Sequence, residues 1–109
     1  MEPQKRVVKT LVTAGNDRVK EWLNSLHDAV GRMAVSQRIT RISEGNFGDH
    51  RAIGDGVWAL RVHYGPGYRV YYGEDGQLIV LLICAGEKKT QRRDIRLAKR
   101  LWREYRGEV

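Results

Sequence analysis

The chain has little of what stabilises small secreted domains or anchors proteins in membranes. Its 109 residues include a single cysteine, Cys84, which excludes an internal disulfide and fits a reducing compartment. There is no apolar run of the length that spans a bilayer, and the N-terminus lacks the apolar core of a signal peptide. The sequence therefore predicts one domain, residues 1–109, in the cytoplasm and without a membrane partner.

The usual signatures of cofactor and metal sites are also missing. His27 and His50 lie far apart in the sequence, which argues against a metal site. The glycine-rich segment 45–56 matches neither the dinucleotide fingerprint nor the P-loop, so we interpret it as turns around a short strand at residues 50–53. Cys84 lies in an apolar run and is expected to behave as a small hydrophobe. We therefore expect neither a metal nor a cofactor.

Positive charge, in contrast, is abundant and unevenly placed. The formal net charge is +7. The segment 87–106 contains nine Lys or Arg residues and three Asp or Glu residues, so most of the excess lies near the C-terminus. Such an asymmetry indicates a polyanion such as nucleic acid, or an acidic protein, as the partner.

Three runs of β-branched, aromatic and other apolar residues between Gly56 and Gly86 predict the centre of the fold. Two turn sequences rich in glycine, at residues 64–68 and 73–76, separate these runs. Together they predict a three-stranded antiparallel meander. The third run, residues 78–85, is apolar throughout, which is typical of a central strand covered on both faces.

Apolar and polar residues alternate along the first two runs. Because the side chains of a strand repeat with a period of two, one face of the sheet is expected to form core, through Trp58, Leu60, Val62, Tyr64, Tyr68, Val70 and Tyr72. The opposite face would then bring together Arg61, His63, Arg69 and Tyr71. This cluster is the candidate site.

Helices are predicted on both sides of the meander in the sequence, after an N-terminal strand at residues 5–13. Asn16 or Asp17 can cap a first helix, and a second helix is expected to end before Gly45. Thr90 can cap a last helix that runs to about Tyr105. The expected apolar stripes of the three helices are Val19, Trp22, Leu23 and Leu26; Val35, Ile39 and Ile42; and Ile95, Ala98, Leu101, Trp102 and Tyr105.

Two strings, GNFGDHRAIGDGVWALRVHYGPGYRVYY and AGEKKTQRRDIRLAKRLW, closely resemble the toxins of bacterial type II toxin–antitoxin modules. The resemblance is to the HigB-like branch of the RelE/ParE superfamily, the addiction module killer proteins. It implies an α+β, RelE-like fold with an N-terminal strand and a helical hairpin packed on a twisted antiparallel sheet, followed by a C-terminal helix. It also implies a cognate antitoxin, a small helix-turn-helix protein encoded beside the toxin, through which alone the toxin would contact DNA.

The resemblance further implies an activity. RelE-like members cleave mRNA in the ribosomal A site without a metal, and their basic site positions fall on Arg61, His63, Arg69 and Lys88 of this chain. Arginine and lysine can hold phosphate, and the unperturbed pKa of histidine suits proton transfer near neutrality. The basic helix would contact RNA through Lys89, Arg92, Arg93, Arg96, Lys99 and Arg100.

Two alternatives remain open at the level of sequence. ParE-like members inhibit DNA gyrase instead of cleaving mRNA, and the basic C-terminal segment alone would suit a nucleic-acid-binding module without catalysis. The Tyr or His that some RelE-like nucleases carry near the C-terminus has no obvious counterpart here, so Tyr71 and Tyr105 are candidate substitutes. The clustered basic face favours the ribosome-dependent nuclease.

Overall fold

The computed structural model describes residues 3–108 and has a mixed α+β fold. Its strands and helices follow one another as β1 (Val7–Thr10), β2 (Val12–Thr13), β3 (Asn16–Asp17), α1 (Arg18–Ser25), α2 (Ala29–Ser43), β4 (His50–Gly54), β5 (Val57–Val62), β6 (Tyr68–Asp75), β7 (Ile79–Glu87) and α3 (Gln91–Tyr105). A single 3₁₀ turn, Lys88–Thr90, joins β7 to α3. None of the helices in residues 3–108 has the length and apolar character needed to cross a membrane.

Five strands form one sheet in the order β1-β7-β6-β5-β4. The predicted meander is confirmed, because β5, β6 and β7 pair antiparallel in sequence order. β7 lies between β6 and β1 and is buried along most of its length, as its apolar run predicts. The N-terminal strand, expected to pack on an antiparallel sheet, is instead part of it, since β1 pairs parallel with β7. The predicted N-terminal strand is also divided: residues 12–13 leave the large sheet and form a small ladder with residues 16–17.

The sheet has an apolar core on each face. One core lies under α1 and α2, and its buried members are Val19, Val35, Ile42, Leu60, Val62, Tyr68, Val70, Tyr72, Val80 and Leu82. The other lies under α3, and its buried members are Leu11, Val57, Ala59, Tyr71, Leu81, Ile83, Cys84, Ala98, Leu101 and Trp102. The predicted alternation along β5 and β6 is therefore confirmed, but part of the second face, expected to carry the polar cluster, is core as well.

The predicted cap of α1 is confirmed, whereas the cap of α2, Asp28, was not predicted. Asp17 accepts a hydrogen bond from the Lys20 amide at the start of α1, and Asp28 accepts from the amides of Val30 and Gly31 at the start of α2. Thr90 precedes α3, as expected, but its hydroxyl donates to the buried Asp94 carboxylate at 2.6 Å instead of capping the helix. These contacts stabilise the first turns of the three helices.

Burial also settles the role of the lone cysteine. Cys84 is 3% exposed within the core under α3, and burial raises the pKa of its thiol to about 12. A thiol with such a pKa stays protonated near neutral pH and is a poor nucleophile. The prediction that Cys84 acts as a small hydrophobe is confirmed.

Candidate active site

A groove of about 410 Å³ opens between the strands β4, β5 and β6 and the first turns of α3. Arginines form its walls, whereas its floor is apolar. Its lining consists of Arg51, Ala52, Ile53, Ala59, Arg61, Arg69, Tyr71, Gln91, Arg92 and Ile95. The volume is within the range of small-ligand sites in proteins.

The sheet register brings the arginines together. Arg61 lies directly opposite Arg69 on the paired strands β5 and β6. Arg51, on β4, pairs with Ala59, two residues from Arg61 and therefore on the same face of the sheet. Arg92 comes from the first turn of α3. The groove thus collects cations from four elements, of which only Arg61 and Arg69 were expected as site residues with a catalytic role.

Like charges directly opposite each other on neighbouring strands repel. For Arg61 the repulsion is relieved by Asp49, whose carboxylate lies 2.8 Å from its guanidinium. Within residues 3–108, no carboxylate forms an ion pair with Arg51, Arg69 or Arg92. The groove therefore keeps an excess of positive charge, which favours an anionic ligand.

Asp49 also binds His63, so one carboxylate joins two of the predicted site residues. One oxygen, Oδ1, accepts from Nε of Arg61 at 3.1 Å and from Nη2 at 2.8 Å. The other, Oδ2, is hydrogen-bonded to Nε2 of His63. The hydrogen bonds from His63 and then from Arg61 lower the pKa of the Asp49 carboxyl to about 2, so Asp49 is ionised at neutral pH.

Arg38 holds the segment that carries Asp49. Its guanidinium donates to the carbonyl oxygens of Arg61, Phe47 and Asp49 at 2.7, 3.0 and 3.2 Å. The Arg61 amide donates to the same Asp49 carbonyl at 2.9 Å. Gly48 allows this close approach, since a Cβ at that position would lie 2.7 Å from Nη2 of Arg38 and its φ is +63°. The backbone around Asp49 is thereby tied to both α2 and β5.

Asp49, Arg38 and Arg51 were missed in the sequence. For Arg38 a signal exists: it lies three residues after Val35 and four before Ile42, on the apolar stripe of α2. A charged residue on such a stripe needs buried partners, and the carbonyls of the following loop supply them. For Asp49 and Arg51, which lie in the glycine-rich segment, no comparable periodicity exists.

His63 lies on the surface rather than in the groove. Its side chain is 72% exposed, and its Nδ1 atom makes no hydrogen bond within residues 3–108. Arg61, which lines the groove, and His63 bind different oxygens of one carboxylate. The imidazole follows β5 and borders a separate depression on the α2 side, with Gln37, Arg41 and Tyr64. Asp49 connects it to the groove residue Arg61.

Lys88 lies beside Arg69 at the other end of the groove. The Lys88 amide donates to the carbonyl of Gly67 at 2.8 Å, and a Cβ at Gly67 would be 3.5 Å from Cβ of Lys88 and 3.8 Å from Nη1 of Arg69. Lys88 lines a second depression, which shares two residues with the groove and is formed by Lys88, Lys89, Thr90, Gln91, Arg92, Arg93 and Arg96. Of the four predicted catalytic residues, Arg61 and Arg69 line the groove, Lys88 lines the depression next to it, and His63 lines a depression on the α2 side.

The two candidate tyrosines do not take the expected place on this surface. Tyr71 forms part of the groove floor but is fully buried, and burial raises the pKa of its phenol to about 12. Its hydroxyl has no hydrogen-bond partner in the described chain, so it remains a neutral donor at the base of the groove. Tyr105 instead donates to Asp75 at 2.6 Å, at the end of α3 remote from the groove, and is not a site residue.

The six basic residues expected to contact RNA differ in their surroundings. Lys89, Arg93 and Arg100 lie within 4 Å of an acidic neighbour on the same segment but remain largely exposed. Lys99 is the least accessible, 29% exposed and 3.6 Å from the Asp55 carboxylate in the β4–β5 turn. Arg92 and Arg96 form no ion pair with any residue from 3 to 108.

A metal has no evident place on this surface. Among residues 3–108, no three His, Cys, Asp or Glu side chains are grouped as metal ligands would be. The exposed pair of His63 with Asp49 is bordered by Arg61, whose charge opposes cation binding.

The chain is similar to a protein from Haemophilus influenzae that is described as an uncharacterized protein. The two are 41% identical over 83 residues, which cover 76% of this chain and 84% of that protein. No family model matches the chain. The relative's name assigns no activity, so the interpretation of the site depends on its geometry and chemistry.

Proposed function

The chain belongs to the same family as the Haemophilus influenzae protein, and we propose that it is a metal-independent endoribonuclease. In this proposal it is the toxin of a type II toxin–antitoxin module, with a RelE-like fold and a HigB-like sequence, and it inhibits translation by cleaving mRNA on the ribosome. One observation carries the proposal. An arginine-lined groove with unneutralised positive charge is connected to an exposed imidazole through the Asp49 carboxylate, which binds both Arg61 and His63.

The chemistry needs only groups that this surface provides. Nδ1 of His63 accepts the proton of the ribose 2′-hydroxyl, and O2′ then attacks the adjacent phosphorus. The bond from phosphorus to O5′ breaks, and the leaving oxygen takes up a proton from solvent. The products are a 2′,3′-cyclic phosphate and a 5′-hydroxyl.

Charge develops on the phosphate oxygens in the transition state, and preorganised donors are the usual way to stabilise it. Arg69 and Arg92 are available for this role because no acid of the described chain neutralises them. Lys88, beside Arg69, adds a third donor. Arg61 is ion-paired with Asp49. It lines the groove, but its charge is already partly balanced.

The depression next to the groove supports a polyanionic partner. Lys88, Lys89, Arg92, Arg93 and Arg96 lie together there, and the exposed side of α3 continues the basic surface. We assign this surface to ribosomal RNA, while the antitoxin would neutralise the toxin by covering part of it. Phosphate contacts of this kind position a protein on RNA without selecting a sequence.

Induction of the protein in a bacterial host, followed by mapping of transcript 5′ ends, tests the proposal. We expect new 5′ ends within translated regions, at the codons that occupy the ribosomal A site. Lys20→Ala is a control variant, because it removes one exposed positive charge from α1, remote from the groove. It should give the same new 5′ ends as the wild type. Growth arrest with intact mRNA and gyrase-linked DNA breaks would overturn the nuclease in favour of a ParE-like gyrase inhibitor.

A further inference from the structure

The two oxygens of Asp49 bind different partners. Arg61 directs two N–H groups at Oδ1, whereas the ring of His63 meets Oδ2. An ionised carboxylate only accepts hydrogen bonds. Because Asp49 is ionised at neutral pH, Nε2 of a neutral His63 has to carry the ring proton in order to bind it.

We propose that Asp49 is a positioning residue that fixes His63 in the tautomer with hydrogen on Nε2. The inference rests on the nuclease function proposed above. In that tautomer Nδ1 carries an unprotonated lone pair, and the exposed ring leaves it open to a substrate hydroxyl. Asp49 thereby makes His63 a general base, although Asp49 itself touches no reacting atom.

Arg61 fixes the orientation of the residue at position 49 and so supplies a sharp test. In Asp49→Asn, the two N–H groups of Arg61 still require an acceptor, so the amide oxygen is expected to stay on Arg61. The amide nitrogen, which can only donate, then faces Nε2 of His63. Nε2 has to accept, the ring proton moves to Nδ1, and the base is lost without any change in the volume of the side chain.

Removal of Arg61 should reverse the effect. In the double variant Asp49→Asn/Arg61→Met, nothing holds the amide oxygen on the groove side, so the amide can rotate and accept from Nε2. The tautomer with hydrogen on Nε2 should then return. A merely structural role of Asp49 would not produce opposite tautomers in the single and double variants.

Nitrogen-15 spectra of the imidazoles, recorded at a pH where the rings are neutral, measure the tautomers directly. His50 is an internal reference of the opposite kind, because its Nδ1 lies 2.8 Å from the Gly48 carbonyl and is expected to donate to it. His63→Gln identifies the signals of His63 by their loss. We expect Nε2–H in the wild type, Nδ1–H in Asp49→Asn, and Nε2–H again in the double variant. The same tautomer in the wild type and in Asp49→Asn would overturn the proposal.

Cleavage of mRNA on purified ribosomes provides the second readout. Asp49→Asn should lower kcat by about 10²–10⁴-fold, the effect expected when a base is held in the wrong tautomer, while the affinity for ribosomes stays unchanged. The matched control is Asp55→Asn, the same change at a carboxylate that pairs with Lys99 instead. Asn tolerates the positive φ of 57° at that position.

The two readouts separate the possible failures. A wild-type protein that leaves mRNA intact contradicts the nuclease function, and the positioning role falls with it. A wild type that cleaves, together with an Asp49→Asn variant that cleaves at the same rate, overturns the positioning role alone.

Discussion

Arg69 is half-buried in the groove and forms no ion pair with a described carboxylate. Its side chain lies in the groove, opposite Arg61, whereas its neighbours Tyr68 and Val70 are buried on the other face of β6. Arg69→Ala should therefore change the free energy of unfolding by less than about 1 kcal/mol. Loss of a preorganised donor should lower the cleavage rate about 10²–10³-fold.

Arg69→Lys separates charge from geometry at the same position. An ammonium keeps the positive charge but cannot form the planar pair of hydrogen bonds, so we expect only partial recovery of cleavage. Melting temperature and cleavage rate, measured for both variants, check this prediction. A variant that is stable and cleaves at the wild-type rate would remove Arg69 from the site, and an unfolded Arg69→Ala would show that its role is structural.

Asp49 predicts an acid-dependent part of the stability. Its folded-state pKa, about 2, lies below the ordinary value of 3.8, so the folded state binds the proton less readily than the unfolded state. The stability that Asp49 contributes is therefore fully present above about pH 4 and is lost as the pH falls toward about 2. Urea unfolding between these two pH values should show a steeper loss for the wild type than for Asp49→Asn; equal pH dependence would contradict the Asp49 contacts.

At the scale of secondary structure, α3 is seated on the sheet through a close contact between Trp102 and β6. A Cβ at Gly73 would lie 2.5 Å from Cζ2 of Trp102, whose ring is fully buried. Gly73→Ala should then destabilise the protein by about 1–3 kcal/mol, since additional atoms in a packed core force side chains to move. Thermal unfolding measures this loss.

A double variant tests the cause of that destabilisation. Trp102→Leu alone should destabilise by leaving a cavity, but it also removes the ring that the new methyl group meets. The combination of Gly73→Ala with Trp102→Leu should therefore cost less than the sum of the two single changes. Strictly additive costs would show that the contact does not decide how α3 packs.

Local patterns in the sequence predict most elements of this fold and fail where distant segments meet. Periodicity and capping residues locate α1, α2, α3 and the meander, because those signals lie within each element. The parallel pairing of β1 with β7 joins residues 7–10 to residues 79–82, and no local pattern specifies such a contact. The same limit explains why α3 was not expected to bury Tyr71.

The candidate site also contains residues that a local pattern locates and residues that it does not. Arg61 and Arg69 could be placed on one face from the alternation along two adjacent strands. Asp49 belongs to a segment without periodicity, and its contacts with Arg61 and His63 span 12 and 14 residues. These contacts depend on the pairing of β4 with β5, which no local pattern specifies.

At the scale of the whole molecule, the concentration of charge on and beside α3 predicts salt-sensitive binding. Each phosphate that a cation neutralises releases counterions, so the logarithm of the affinity for ribosomes should fall linearly with the logarithm of salt concentration. Arg92→Ala and Arg96→Ala should each make that slope shallower by about 1. Titrations at several salt concentrations measure the slopes.

Lys99 supplies the matched control for this prediction. It carries the same charge on the same helix but is paired with Asp55 and largely covered, so Lys99→Ala should change the slope less than either arginine variant. A slope that is flat for the wild type, or equal changes for all three variants, would contradict the assignment of this surface to RNA.

The central claim is that a ribose 2′-hydroxyl, activated by His63 beside the arginine groove, cleaves its own phosphodiester bond without a metal. Purified ribosomes programmed with an mRNA that carries one 2′-deoxynucleotide at the mapped cleavage site test this claim directly, in the magnesium buffer that intact ribosomes need. The account predicts complete loss of cleavage at that site, and unchanged cleavage of the all-ribose mRNA to a 2′,3′-cyclic phosphate and a 5′-hydroxyl. Cleavage of the 2′-deoxy mRNA at that site, or all-ribose products that end in a 3′-hydroxyl and a 5′-phosphate, would contradict it.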